Sequence, residues 1–159
     1  MMFLSFVGLL DEKNVIVTPM VTITNSTNKG KITLTNARVG IAGGFIGVVY
    51  DSIGVTYDIR NSTNDVDLVL SEECEECHLG GIVGIVKNNG RIKMSLTGCS
   101  NKATIVSNGT KSNSVGGSVG WINGNERSVV EIIDFVNHGA LSVSGNQNNI
   151  GGIVGSVSS

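Results

Sequence analysis

Cys74, Cys77 and His78 are the residues whose types and spacing most invite chemistry. They close the segment Ser-Glu-Glu-Cys-Glu-Glu-Cys-His, residues 71–78. Cys-x-x-Cys-His is the pattern of covalent c-type haem attachment. Two thiolates, an imidazole and a nearby carboxylate also make a zinc ligand set. A five-residue match carries little weight alone, and no second axial ligand is tied to it. Two plainer readings rank ahead: a local disulfide, or an acidic solvated loop whose thiols are incidental. The expectation is therefore no cofactor and no metal, with Cys74, Cys77 and His78 as the weak metal candidates. Cys99 is the third cysteine. One thiol is then left over, so no disulfide framework holds the chain together.

The remaining candidates are of other kinds. Trp121 is the chain's one tryptophan. On an outer face it could stack on a sugar or a protein partner, although a single such residue is more often packed under a loop. Asn25, Asn61 and Asn108 each open an Asn-x-Ser/Thr tripeptide, the acceptor pattern for N-linked glycan. Asp51, Asp58, Asp65, Asp67 and Asp134 are scattered, and their counterparts elsewhere in the chain are mostly Asn, Ser or apolar. No acid–base or nucleophile set converges, which points away from an enzyme.

These residues are positioned by a repeat. Leu79-Gly80-Gly81-Ile82-Val83-Gly84-Ile85-Val86 has counterparts beginning at Ala42, Val115 and Ile150. The leading glycines, Gly43, Gly80, Gly116 and Gly151, lie 37, 36 and 35 residues apart. A second ladder runs in step: Asn28, Asn64, Asn101 and Asn137, spaced 36, 37 and 36 apart. Aliphatic residues stand five before each Asn (Ile23, Ile59, Leu96, Ile132) and four after (Ile32, Leu68, Ile105, Leu141). Period-two alternation, as in Ile32-Thr33-Leu34 and Leu141-Ser142-Val143, marks strands with aliphatics inward. A near-fixed period of this size is the mark of a stacked array. The fold expected is all-β: a parallel β-solenoid, or β-helix, of about four coils of roughly 36 residues with three short strands each. The glycines would serve close approach or positive φ at corners. The Asn would occupy turns and hydrogen-bond from coil to coil.

The stretch from Gly84 to Val106, with Gly90, Ile92, Cys99, Asn101 and Ala103 ahead of the next Gly-Gly-x-Val-Gly, resembles the GLUG-type repeat. Ala103 replaces that pattern's usual Gly, and Ser26, Ser62 and Phe135 stand where Cys99 does. The resemblance runs from about residue 14 to 159. It implies a repeat region of a secreted or cell-surface protein, since such repeats occur in bacterial and protist surface proteins, including stalks of surface peptidases.

Composition agrees with that class. Many Gly, Ser, Thr and Asn with only 15% charged residues suit an extracellular solenoid. A net charge of −2 gives no basic patch for nucleic acid. No apolar run reaches membrane-spanning length. The 159 residues read as one repeat domain. Residues 1–13 read as a remnant of a preceding coil or, less well, as a weak signal-like segment, and the chain reads as part of a longer array with possible end-to-end coil stacking. The function expected is a non-enzymatic stalk or adhesin-like module for a glycan or host surface protein. The alternative is a non-catalytic solenoid fragment of a surface hydrolase or peptidase whose catalytic part lies outside this chain.

Overall fold

The computed structural model describes residues 5–7, 20–35, 38–50, 54–70, 74–87 and 90–159. Among them every regular element is a strand. β1 is Ser5–Val7. The first coil holds β2 (Met20–Thr24), β3 (Thr27–Asn28), β4 (Ile32–Leu34), β5 (Val39–Gly43) and β6 (Ile46–Tyr50). The second holds β7 (Val55–Arg60), β8 (Thr63–Asn64), β9 (Leu68–Leu70), β10 (Glu76–Gly80) and β11 (Val83–Lys87). The third holds β12 (Ile92–Thr97), β13 (Ser100–Asn101), β14 (Ile105–Ser107), β15 (Ser112–Gly116) and β16 (Val119–Asn123). The fourth holds β17 (Val129–Ile133), β18 (Val136–Asn137), β19 (Leu141–Val143), β20 (Gln147–Gly151) and β21 (Val154–Ser158). Equivalent strands of successive coils pair in parallel and form five sheets. The chain is a parallel β-solenoid of four coils.

Each coil thus has five strands where the alternation pattern predicts three. Both sequence ladders fall at corners and break what reads as one extended run. The residue three before each ladder Asn is Asn25, Asn61, Gly98 or Asp134, and all four take positive φ, between 48° and 61°. That left-handed step cuts off a two-residue strand ending in the ladder Asn. The left-handed step at each of these turns is thus taken by the residue upstream of the ladder Asn. The Gly-Gly pairs likewise separate β5 from β6, and their counterparts in every coil.

Register follows the sequence ladders. Asn28, Asn64, Asn101 and Asn137 are aligned partners, as are Gly43, Gly80, Gly116 and Gly151. The interior has two apolar cores. One joins Ile23, Ile59, Met94 and Leu96 to Val49, Val86 and Val119. The other joins Leu68, Leu70 and Ile105 to Leu79 and Val115. Between them lies a polar waist. Asn64 Nδ2 donates to Asn101 Oδ1 and Asn101 Nδ2 to Asn137 Oδ1, both at 2.9 Å. Each Nδ2 also donates to the carbonyl two residues on: Val66, Ala103 and Gly139. Opposite stands the second glycine of each of the first three pairs. A Cβ on Gly81 would strike the Gly117 carbonyl and come within 2.7 Å of Asn101 Cγ. The two ladders, about 15 residues apart in sequence, close on each other across the coil.

The first rung differs. Asn28 Nδ2 donates to the Gly44 carbonyl, and Asn64 Oδ1 is left buried without a partner. β1 also departs from the repeat: it pairs antiparallel with β2, Phe6 opposite Val21. Residues 1–4 and 8–13 of that segment lie outside the described residues.

Asn101→Ala removes a donor and an acceptor from the waist and leaves Asn64 and Asn137 short of partners. Urea unfolding should show a loss of roughly 3 kcal/mol, against less than about 1 kcal/mol for Asn28→Ala at the imperfect rung. Ser118 lies fully buried in the row of Phe45, Ile82 and Ile153, and its Oγ has no partner. Ser118→Ala should hold or raise the unfolding midpoint in the same assay, because it deletes an unsatisfied polar atom.

Candidate functional site

The candidate site lies on the outside of the Gly-Gly corner. Only Gly81 and Ile82 connect β10 to β11, and the other coils repeat this two-residue link. Cys77 and Leu79 point into the core, so His78 between them points out. The outer row on this wall runs Ile41, His78, Ser114, Asn149. On the facing wall it runs Val48, Ile85, Trp121, Ser156. The two walls enclose a groove parallel to the solenoid axis. Across the first three coils it holds a cleft of about 270 Å³, with Val39, Tyr50, Glu76 and Lys87 at its rim. Tyr50, Val39 and Val48 are 58%, 51% and 45% exposed. In the fourth coil the same rows read Gln147, Asn149, Ser156 and Ser158, and the apolar character ends.

His78 and Trp121 meet in this groove. Their ring centroids are 4.7 Å apart at 29°. His78 is only 4% exposed. Its Nε2 lies 3.2 Å from Glu76 Oε1. A carboxylate only accepts, so Nε2 carries the proton and Nδ1 is the bare nitrogen; Nδ1 is buried and has no partner. Burial holds the imidazole pKa below its ordinary value, outweighing the opposing pull of Glu76. Trp121 Nε1 donates to Ser158 Oγ at 3.0 Å. The indole is half-buried, with His78 stacked on one face.

The cysteines go elsewhere. Cys74 and Cys77 are bonded to each other as a disulfide, both side chains inside the second core. The reading of 71–78 as a solvated loop is corrected for its described part: Cys77 and His78 belong to β10, and Cys74, Cys77 and His78 are all buried. Residues 71–73 lie outside the described residues. The three metal candidates are not brought together, since the sulfurs face inward and the imidazole outward. Cys99 is a free thiol in the first core, its pKa raised by burial.

The acids are engaged separately. Asp58 holds Arg60 at 2.7 Å on the outer face of β7. Glu75 holds Lys111 at 3.1 Å and Arg38 at 3.5 Å, which keeps its carboxyl below the ordinary range. Asp134 is a left-handed corner residue. Asn25 and Asn61 are exposed corners at φ 48°, one coil apart. Asn108 is half-buried, its Oδ1 accepting from Ser144 Oγ at 3.3 Å.

Sequence reasoning missed two things. One is the His78–Trp121 pair, 43 residues apart. The signal was present in parity: both are outward positions flanking equivalent glycine corners, on adjacent coils. The other is a second, short amide ladder, Asn113 Nδ2 to Asn148 Oδ1 at 2.8 Å. These stand three residues before Gly116 and Gly151, the place Cys77 takes before Gly80, so the same register count finds them.

Titration with a thiol reagent checks the cysteine assignment. The native chain should show no reactive thiol, and the denatured, unreduced chain should show one, Cys99. Comparison with known proteins finds no matching family model, no matching curated protein and no matching solved structure.

Proposed function

We propose that this chain is a non-enzymatic repeat module of a secreted or cell-surface protein that holds its partner in the outer groove. The observation that carries this is the change in character along two rows. Solenoid stacking needs nothing of outward side chains, yet Val39, Val48 and Tyr50 are exposed beside Ile41, Ile85 and Trp121, while the fourth coil keeps the rows polar. An exposed apolar strip rimmed by charge is the usual form of a contact site. Glu75, Asp58 and Glu76 each lie against a cation or imidazole, which favours binding over acid–base chemistry.

The resemblance to GLUG-type repeats supports the surface assignment. Under this reading Asn25 and Asn61 are the accessible glycan acceptors if the source is a eukaryote, and Asn108 the less accessible one. Between a glycan and a host protein, the aliphatic walls favour the protein. A sugar needs an open aromatic face, and His78 covers one face of Trp121.

The test is a screen of matrix proteins and glycans with wild type, Val48→Ser/Tyr50→Ala and Gln147→Ala. The groove variant should weaken a hit by about tenfold or more, and Gln147→Ala should leave it unchanged. Equal loss in both variants, or no loss in the groove variant, rejects the groove as the binding face.

A further inference from the structure

We propose that the His78–Trp121 stack is an acid-sensitive latch across the groove, closed when the imidazole is neutral and released when it gains a proton. The regulatory consequence rests on the groove being the binding face; the latch itself does not.

The geometry is that of a clasp between walls and between coils. His78 comes from β10 of the second coil and Trp121 from β16 of the third. Nothing else in its row titrates: the aligned residues are Ile41, Ser114 and Asn149. The neutral ring suits its surroundings. It gives its one N–H to Glu76 and lays an apolar face on the indole. A proton can add only at Nδ1, which is buried and faces no acceptor among the described residues. Protonation therefore makes a charged, unpaired N–H inside the contact.

The surrounding charges do not offset this. On its own strand the facing group is Glu76, half exposed and already bonded through Nε2. From β11 it is Lys87, a second positive charge on the same cleft, and from β6 it is Tyr50, which brings a hydroxyl. β5, β15 and β16 bring no titratable side chain to the cleft; what they present there is Val39, Ile41, Ser114 and Trp121. A charged ring over indole gains some cation–π attraction; against the pull of Glu76, burial keeps the imidazole pKa lowered. A base whose folded value is depressed stabilises the fold fully above its unfolded pKa. That contribution is lost as pH falls through the folded value. The latch is thus shut at neutral pH and opens in acid, below the ordinary histidine value near 6.5. Partner release on acidification would follow.

The chain's single tryptophan reports the event directly. Emission of Trp121 and its quenching by acrylamide, an uncharged probe, are followed from about pH 8 to about pH 4.5, with far-UV circular dichroism alongside. Wild type should show a rise in quenching with its midpoint below the ordinary histidine value and the β signal intact. His78→Ile, which copies the first coil at this place, should show a flat profile. Three results overturn the latch: a flat wild-type profile, the same rise in His78→Ile, or a rise that coincides with loss of the β signal. No ligand enters this experiment, so a failed binding screen leaves the latch standing, and a failed latch leaves the groove standing.

Discussion

The amide hydrogen bond from Asn64 to Asn101 to Asn137 is the interaction on which the rest of the structure depends. A coil wound from short strands has little to fix the distance between its two sides. Here that distance is set by a side chain reaching across to a glycine with no Cβ. Were the asparagine shorter or the glycine larger, the waist would open and the two apolar cores would merge or separate. The ladder works because the Asn64 and Asn101 amides each give one N–H to the next coil and one to their own chain. Buried polar groups stabilise only under that condition. The incomplete rung at Asn28 shows the contrast, with the Asn64 carbonyl oxygen left unanswered.

The corner opposite has a second effect. Gly-Gly lets two strands of one coil turn sharply, and their outer faces then converge rather than splay. A groove on the outside is the geometric by-product of the waist on the inside. Function, if it sits in the groove, has been placed on a surface that the repeat creates and leaves free to vary. The row Val48, Ile85, Trp121, Ser156 varies as a row free of packing duty would, while the glycines beneath it do not.

Much of this was legible in the sequence. Ile23, Ile59, Leu96 and Ile132, counted from the ladder, are a core row, and the glycine register is matched residue for residue. What was not legible was local geometry. Strand number depends on where the chain bends, and the bend at Asn25, Asn61, Gly98 and Asp134 is shared by three residue types. His78 read as part of an acidic loop because four glutamates surround the two cysteines. Alternation along β10 decides otherwise, and only after the strand is known to begin at Glu76. Pairing of Cys74 with Cys77 was among the readings, but nothing in the spacing separated it from open thiols.

The waist also gives the solenoid a direction. Asn64, Asn101 and Asn137 present their amide dipoles head to tail, N–H toward the later coil and oxygen toward the earlier one, and Asn113 and Asn148 do the same. The file resembles a helix macrodipole turned along the solenoid axis. Its early end bears partial negative charge and its late end partial positive charge. Along these coils the file is vectorial: each link runs from an earlier coil's N–H to a later coil's oxygen. Coil order is thereby read by dipole polarity as well as by the shape of the apolar rows.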